Sequence, residues 1–571
     1  MSFGMTSITN NYILGISYGY HDSAVALLQN GVVLSAVEEE RFTGIKHEDR
    51  FPINSINWTL KKHGLSRDDI HAVCYYEHPK LKTDRSWKSY WKYFWKNPLN
   101  FPYTDTSDEL LQENFPNSII VMGNHHLSHL AYSYFTSDFK ESAVFSVDGV
   151  GEWDTTVSAY AKDNQIVRMN EVIYPHSLGL LYSTITAFLG FKPNEGEYKV
   201  MGLAPYGHPV FYEKKFKELI KETKDGFELN LKYFSFHHSE STMFNTKLSK
   251  LFGIPNRLPN EPLNDKHKNI AAALQYVYEK HFFRLLNKLH TKTKSDNLCL
   301  SGGCAYNGTA NGKIKENTPF KNIWIPPAPS DAGSAIGAAL NYWNHITNDR
   351  KENKTPFLGP EETNTEALYS IYENRNYIDY DVMTETALIK KVAKLISKGN
   401  IIGWVDGKLE FGARALGNRS ILANPKDPQM KKRVNMVVKK REGFRPFAPM
   451  VTYKDRNKYF HLTDEIPYMN QIVQVRDEYQ DKLPAITHID GTARVQTVKK
   501  NFNEKIYKLL KQVEIENEYP IILNTSFNLK DQTMVRNSKE AIETFLKCDM
   551  DYLVIGNFFI SKKKRLKFKK R

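Results

Sequence analysis

Apolar residues fall in short blocks along the first third of the chain, separated by polar turns that contain glycine. Tyr12 to Ser17, Val25 to Leu28 and Val32 to Val37 read as strands. The Asn30-Gly31 pair between the last two is a tight-hairpin signal, so the opening is predicted as a small antiparallel meander. Two later apolar blocks also run into polar loops. Ala143 to Val147 ends on Asp148-Gly149, and Asn297 to Leu300 leads into Ser301-Gly302-Gly303-Cys304-Ala305-Tyr306-Asn307. With the turn Tyr18 to Ser23, these make three strand-end loops, the place where α/β folds bind ligands. Helical spacing of apolar residues over Ala387 to Ile396, followed by the strand Ile401 to Val405, opens a second domain. Between them the chain is polar and poor in apolar periodicity from about residue 346 to 366. The pattern predicts an α/β protein with domains at 1–350 and 385–571 joined by a linker over 351–384, and no repeat of solenoid period.

One segment departs from this pattern. Trp87, Tyr90, Trp91, Tyr93, Phe94 and Trp95 interleave with Lys88, Lys92 and Lys96. Such a stretch either lies at a membrane or lipid-like surface or packs as an aromatic insertion with snorkelling lysines, and the packing reading is preferred.

Composition narrows the class. The 571 residues are enough for several full cores, and 41 % apolar with 25 % charged residues is ordinary globular usage. No apolar run approaches the ~18 residues of a transmembrane helix. Met1 to Ser7 lacks the features of a signal peptide, and the four cysteines form no C-x-x-C pair, so a reducing cytoplasm is expected. The net charge of +14 includes a basic tail, Lys562 to Arg571, which reads as a solvated terminus. The remaining mild excess suits phosphate handling and does not call for nucleic acid.

Candidate chemistry follows from spacing. His125 and His129, four apart, project from one face of a helix. Asp148 closes a strand, and Asp331 opens a small-residue helix in Pro329-Ser330-Asp331-Ala332-Gly333. Two imidazoles and two carboxylates around one point suit iron, manganese or zinc better than calcium or magnesium. The alternative is that His126 or His129 is an ordinary hydrogen-bonded histidine. In the second domain, Lys408, Arg414, Arg419, Lys439, Arg441 and Arg445 crowd together. Arg494 and the segment Asn524-Thr525-Ser526-Phe527-Asn528 add further donors. Interspersed glycine, proline and aromatic residues argue against a plain solvated face. Such a clamp fits phosphoryl or adenylyl transfer with Mg²⁺, and no Walker-type loop is present.

Over nearly its whole length the chain resembles the NodU/CmcH-type O-carbamoyltransferases. The blocks that carry the likeness are His21-Asp22-Ser23-Ala24, Glu38 to Phe42, Lys46-His47, Phe51-Pro52 and Glu197 to Gly207. The segments around Arg414, Arg441 and Asn524 complete it. The resemblance implies an actin-like, TsaD-like first domain and a YrdC-like second domain, with Lys439-x-Arg441 and Ser526-x-Asn528 at that family's signature positions. It implies that the second domain joins ATP and carbamoyl phosphate into carbamoyl-adenylate. The first domain then passes the carbamoyl group to a hydroxyl of a small-molecule or sugar acceptor. It assigns His125, His129, Asp148 and Asp331 to a metal, usually Fe²⁺, and His21 and Lys46 to the adenylate. Gly149, Glu197, Gly302, Gly303 and Asn307 belong to its nucleotide site. Arg414, Lys439, Arg441, Arg445, Arg494, Asn524, Ser526 and Asn528 belong to its ATP and carbamoyl-phosphate site, with Mg²⁺. A departure from the family occurs at Leu529 to Thr533, where a Gly-Glu-Pro stretch is usual. Two other functions compete: a tRNA threonylcarbamoyl-type enzyme using threonine and bicarbonate, and a non-catalytic actin-like nucleotide-binding protein. A homodimer is expected.

Overall fold

Strands β1 (Tyr12–Ser17), β2 (Ala24–Gln29) and β3 (Val32–Glu38) form an antiparallel meander, and β1 is buried over most of its length. The β2–β3 turn is made by Asn30 and Gly31 at φ 50° and 79°, the left-handed pair that a two-residue hairpin requires. The meander is only part of a sheet. β1 also pairs in parallel with β4 (Ile70–Tyr75), and β4 with β5 (Ile119–Met122), giving the order β3-β2-β1-β4-β5. These features come from a computed structural model that describes residues 11–93, 102–239 and 241–563.

The same arrangement is then built again. β6 (Glu141–Val147), β7 (Asp154–Lys162) and β8 (Gln165–Ile173) form an antiparallel meander. β9 (Asn297–Ser301) and β10 (Asn322–Trp324) add in parallel beside β6, giving β10-β9-β6-β7-β8. Two five-stranded sheets of one topology make a duplicated α/β fold, the arrangement an actin-like domain would have. Each sheet's fifth strand leads to a helix: α1 (His125–Phe135) after β5, and α2 (Asp331–Thr347) after β10.

These two helices pack directly on each other. Small residues make that approach possible. A Cβ added at Gly337 would lie 1.9 Å from the carbonyl oxygen of Ser128 on α1, so a side chain there would force the helices apart. Crossing this closely, α1 and α2 bring their N-terminal turns together.

Two units emerge from the chain's contacts, one of residues 1–40 and 47–354, the other of residues 41–46 and 355–571. The second unit holds an eight-stranded mixed sheet, β11 (Ile378–Val382), β12 (Ile402–Val405), β13 (Arg419–Ala423), β14 (Ala448–Thr452), β15 (Gln496–Val498), β16 (Ile521–Ser526), β17 (Tyr552–Ile555) and β18 (Phe558–Lys562). Their order is β11-β18-β17-β12-β13-β16-β14-β15. Separate apolar clusters cover the sheet, one of which packs α3 (Glu385–Ser397) against α4 (Glu504–Asn517). The expected linker over 351–384 needs correction. A helix, Asn364–Glu373, and the edge strand β11 lie within it. Both expose most of their side chains, so the polar sequence there reflects an edge position within the unit. Phe94 and Trp95, Lys96, and the tail from residue 564 fall outside the described residues.

Candidate functional site

Asn124 caps α1 by accepting from the Leu127 amide, which fixes the helix start so that His125 and His129 occupy successive turns of one face. Asp148 sits just past β6 and Asp331 in the first turn of α2. All four are buried, and their ligand atoms lie within 4.8 Å of one another. His129 Nε2 is 2.8 Å from Asp148 Oδ2 and 3.4 Å from Asp331 Oδ1, and the two Nε2 atoms are 3.2 Å apart. Burial alone would lower the His125 imidazole, but Asp331, Asp148 and Glu77 hold it well above the usual histidine range. Burial would raise the Asp148 carboxyl, whereas His125 and His129 keep it well below the usual carboxylate range. Asp331 Oδ1 is buried without a hydrogen-bond partner. Two nitrogens and two carboxylates converging this closely, one oxygen unsatisfied, fit a divalent cation.

A second layer orients this set. His129 Nδ1 lies 2.9 Å from Ser334 Oγ, and His125 Nδ1 lies 3.7 Å from Oε2 of fully buried Glu77. Partners of this kind fix the ring orientation of ligating histidines. Neither residue stands out in sequence, although Glu77 follows an apolar strand much as Asp148 does. His126 is the ordinary core histidine of the pair reading, held by Ser146 Oγ at 2.8 Å and the Asp154 carbonyl at 3.0 Å. At the rim, His21 Nε2 is 3.9 Å from Asp331 Oδ2. Its Nδ1 meets Asp22 at 3.0 Å, and Asp22 meets His47 at 2.7 Å. Burial would lower His21, but Asp331 and Asp22 raise it to about 10.

Of the expected nucleotide-site residues of the first unit, Gly149 and Gly303 border Asp148 directly. Gly149 donates its amide to Asp148 Oδ1 at 2.6 Å, and a Cβ on Gly303 would sit 3.0 Å from the same oxygen. Gly302, at φ 88°, passes so close to β6 that a Cβ would lie 2.2 Å from the Val147 carbonyl oxygen. Asn307 caps the next short helix and pairs with Gln275, while Glu197 accepts from Ser183 Oγ at 2.6 Å.

In the second unit Lys439 is buried, and its Nζ donates to the Ser526 carbonyl (2.7 Å), Ser526 Oγ (3.1 Å) and Asn528 Oδ1 (2.8 Å). The backbone widens into a π turn over Arg433–Val438 immediately before it. Burial, then Arg441, Arg445 and Lys46, press the Lys439 ammonium well below its ordinary range. Burial, then Arg414, Arg441 and Arg445, do the same to Arg494. These six cations therefore form one cluster. Lys46 is in it because residues 41–46 pack with this unit, so Lys46 and His21, which the resemblance assigns together to the adenylate, belong to different units. Asn435, which sequence reading missed, shapes the loop by accepting from Arg441 Nε at 2.7 Å and donating to the Arg445 carbonyl at 2.9 Å. Asn524 spends its amide on the Ala415 carbonyl and Gln496. Arg419 needs correction as a clamp member. It is buried and directed at backbone carbonyls, among them those of Asp406, Gly407 and Asn418. Lys408 is exposed. The unusual turn after Asn528 closes on itself, since Asn528 Nδ2 donates to the Gln532 carbonyl at 2.7 Å and the Leu529 amide to Gln532 Oε1 at 3.1 Å.

Among the described residues no helix is long and apolar enough to cross a membrane. The chain is 39 % identical to an uncharacterised Synechocystis protein, covering 96 % of this chain and 97 % of that one. It is 34 % identical to nodulation protein NolNO of Sinorhizobium fredii, covering 99 % and 82 % respectively. Among solved structures it is similar to component A of the Acidaminococcus fermentans (R)-2-hydroxyglutaryl-CoA dehydratase, at 14 % identity and a TM-score of 0.33. That match covers 59 % of this chain and 98 % of the other. The family model for the carbamoyltransferase N-terminus matches residues 12–340, and that for the carbamoyltransferase C-terminus matches residues 393–562. With the buried His/Asp set inside the first match and the cation cluster largely inside the second, the chain belongs to the carbamoyltransferase family.

Proposed function

We propose that the protein is an ATP-dependent O-carbamoyltransferase whose two half-reactions are divided between its two units. In the second unit, carbamoyl phosphate and water give carbamate and phosphate. Carbamate then attacks the α-phosphorus of ATP, giving carbamoyl-adenylate and pyrophosphate. In the first unit, an acceptor hydroxyl attacks the carbamoyl carbon, its proton leaves, and AMP departs. The observation that carries this reading is the six-cation cluster around Lys439, which suits a polyphosphate ligand with Mg²⁺.

Arg441 and Arg445 would grip phosphate oxygens bidentately, with Arg414 and Arg494 beside them. Lys439, anchored by Ser526 and Asn528, adds a point charge fixed in position. Lys46 contributes a further charge to this unit. In the first unit His125, His129, Asp148 and Asp331 would hold Fe²⁺ or another divalent ion. When bound, the ion polarises the carbamoyl carbonyl as a Lewis acid. His21, oriented by Asp22 at its Nδ1, offers an N–H to the leaving adenylate. Gly149 and Gly303 leave backbone room for the nucleotide beside Asp148, and Gly302 lets their loop pack on β6.

Pyrophosphate release from ATP tests the reading. Release should require carbamoyl phosphate and should not occur with threonine plus bicarbonate. Addition of an acceptor should give AMP and a product heavier by one carbamoyl group. Pyrophosphate release with threonine plus bicarbonate alone would redirect the assignment to tRNA-type chemistry, and no turnover with either donor would remove it.

A further inference from the structure

A cavity of about 370 Å³ opens in the first unit beside the loop that follows Asp148. Its wall is shared with the His/Asp cluster. Val150 lines it, and the carbonyl of neighbouring Gly151 receives both the Tyr20 hydroxyl, at 3.1 Å, and the Arg85 guanidinium. Gly151 packs closely against His125, where an added Cβ would lie 2.8 Å from the ring carbon Cγ. Tyr20, also lining the cavity, meets the His125 ring edge-on at 6.1 Å. The cavity therefore lies directly beside the site where carbamoyl transfer is assigned.

The lining has a definite chemistry. Tyr20, Tyr90, Tyr103, Tyr174 and Phe236 supply aromatic faces, Ser86 and Ser89 supply hydroxyls, and among the described residues that line it there is no aspartate or glutamate. Two cations line it. Lys82 is already compensated, by Glu77 at 2.7 Å and Asp105 at 3.1 Å. Arg85 is not. Its bonds go to the Gly151 carbonyl and the Tyr20 hydroxyl, and among the described residues no carboxylate forms an ion pair with it. Those two bonds leave three of its five N–H donors for a ligand. A half-buried guanidinium beside a cavity, with Glu77 acting on it only at a distance and no direct ion pair among the described residues, is stabilised by an anion that forms charge-assisted hydrogen bonds to it. The aromatic faces suit the less polar face of a sugar ring, and the volume is that of a small-ligand site.

We propose that this cavity is the acceptor pocket, and that it selects a hydroxylated ring carrying an anionic group, which Arg85 binds. The proposal rests on the carbamoyl-transfer reading of the neighbouring cluster.

Calorimetric titration of the full chain with glucuronate, glucose 6-phosphate, glucose and glucosamine tests it. At least one of the two anions should bind roughly tenfold more tightly than glucose, the worth of one charge-assisted hydrogen bond. Glucosamine should bind most weakly. Preference for glucuronate alone identifies a carboxylate as the anion, and preference for glucose 6-phosphate alone identifies a phosphate. Arg85→Gln should erase the preference. Ser89→Asp, which keeps Arg85 and its bonds, should shift it towards glucosamine, so the proposal stays testable if the arginine variant fails to fold. Glucose or glucosamine binding as tightly as both anions would overturn it. Titration does not depend on turnover. A missing charge preference in a protein that releases pyrophosphate therefore removes the pocket assignment alone, whereas absent pyrophosphate release removes the transfer reading beneath it.

Discussion

The two polar clusters of this chain are electrostatic opposites. In the first unit, carboxylates surround two buried histidines and hold at least His125 well above its ordinary range. In the second, burial and neighbouring cations press Lys439 and Arg494 well below theirs. Each crowds buried charge, and on the proposed function each would be relieved by a ligand: a divalent cation in the first, a polyphosphate in the second. They are also built differently. The first joins matching helix starts of two duplicated half-folds, so its geometry depends on the α1–α2 crossing. The second is arranged by short-range bonds along loops, with Asn435, Ser526 and Asn528 as anchors.

If this contrast is right, the units fail separately. The largest effect is expected from the double variant His125→Ala/His129→Ala. It removes both nitrogens of the proposed metal set, so the purified protein should retain no stoichiometric metal and transfer to acceptor should stop, while pyrophosphate release persists. Metal analysis beside pyrophosphate and AMP assays decides it, and full metal retention would end the assignment.

Arg441→Ala attacks the other cluster. It removes a guanidinium held by Asn435 and should slow carbamoyl-phosphate-dependent pyrophosphate release by about 10²–10³-fold, as loss of one preorganised donor does elsewhere. Metal content should not change. Loss of both in a folded protein would mean that the two clusters are not independent.

A smaller effect is expected at Glu77, which touches the metal set only through His125. Glu77→Gln keeps the shape and removes the charge behind the imidazole. Metal affinity should fall by about 10–100-fold, the usual cost of losing such a partner. The measurement is a competition titration against a chelator of known affinity, and unchanged affinity would leave Glu77 as the partner of Lys82 and Tyr75 only.

How much of this was legible beforehand divides along physical lines. The Asn30-Gly31 hairpin and the i, i+4 histidines are local patterns, and the structure places them as read. Asp148 and Asp331 were found because strand ends and small-residue helix starts are visible in sequence. The duplication was not visible, because two sheets of one topology share no residue pattern. Glu77 and Ser334 join the site only through tertiary packing, with no spacing that links them to His125 or His129. Lys46 was placed with His21 at the adenylate because the family resemblance implies it, whereas contacts assign residues 41–46 to the second unit. Arg419 illustrates a further limit, since sequence does not say whether a guanidinium meets a ligand or a set of carbonyls.

The smallest effect is expected where the sequence was most conspicuous. The aromatic run lies on the helix Pro79–Tyr93, and Trp91 is 62 % exposed there, with Trp87 at 42 %. The same helix turns Arg85, Ser86, Ser89 and Tyr90 towards the cavity beside the Asp148 loop, and neither Trp87 nor Trp91 is among the lining residues. Aromatic packing and acceptor contact thus separate on one helix, with Tyr90 on the cavity side and Trp91 beside it at a ring distance of 5.2 Å. Trp91→Ala should change stability by no more than about 0.5 kcal/mol, as surface substitutions usually do, where a buried tryptophan would cost about 3–5 kcal/mol. The acceptor KM should stay near that of the parent, whereas Tyr90→Ala should raise it. Denaturant unfolding and acceptor kinetics on the two variants test this directly. A Trp91 variant that loses several kcal/mol would restore the packing role, and one that raises KM as much as the Tyr90 variant would extend the acceptor surface onto the outer face of the helix.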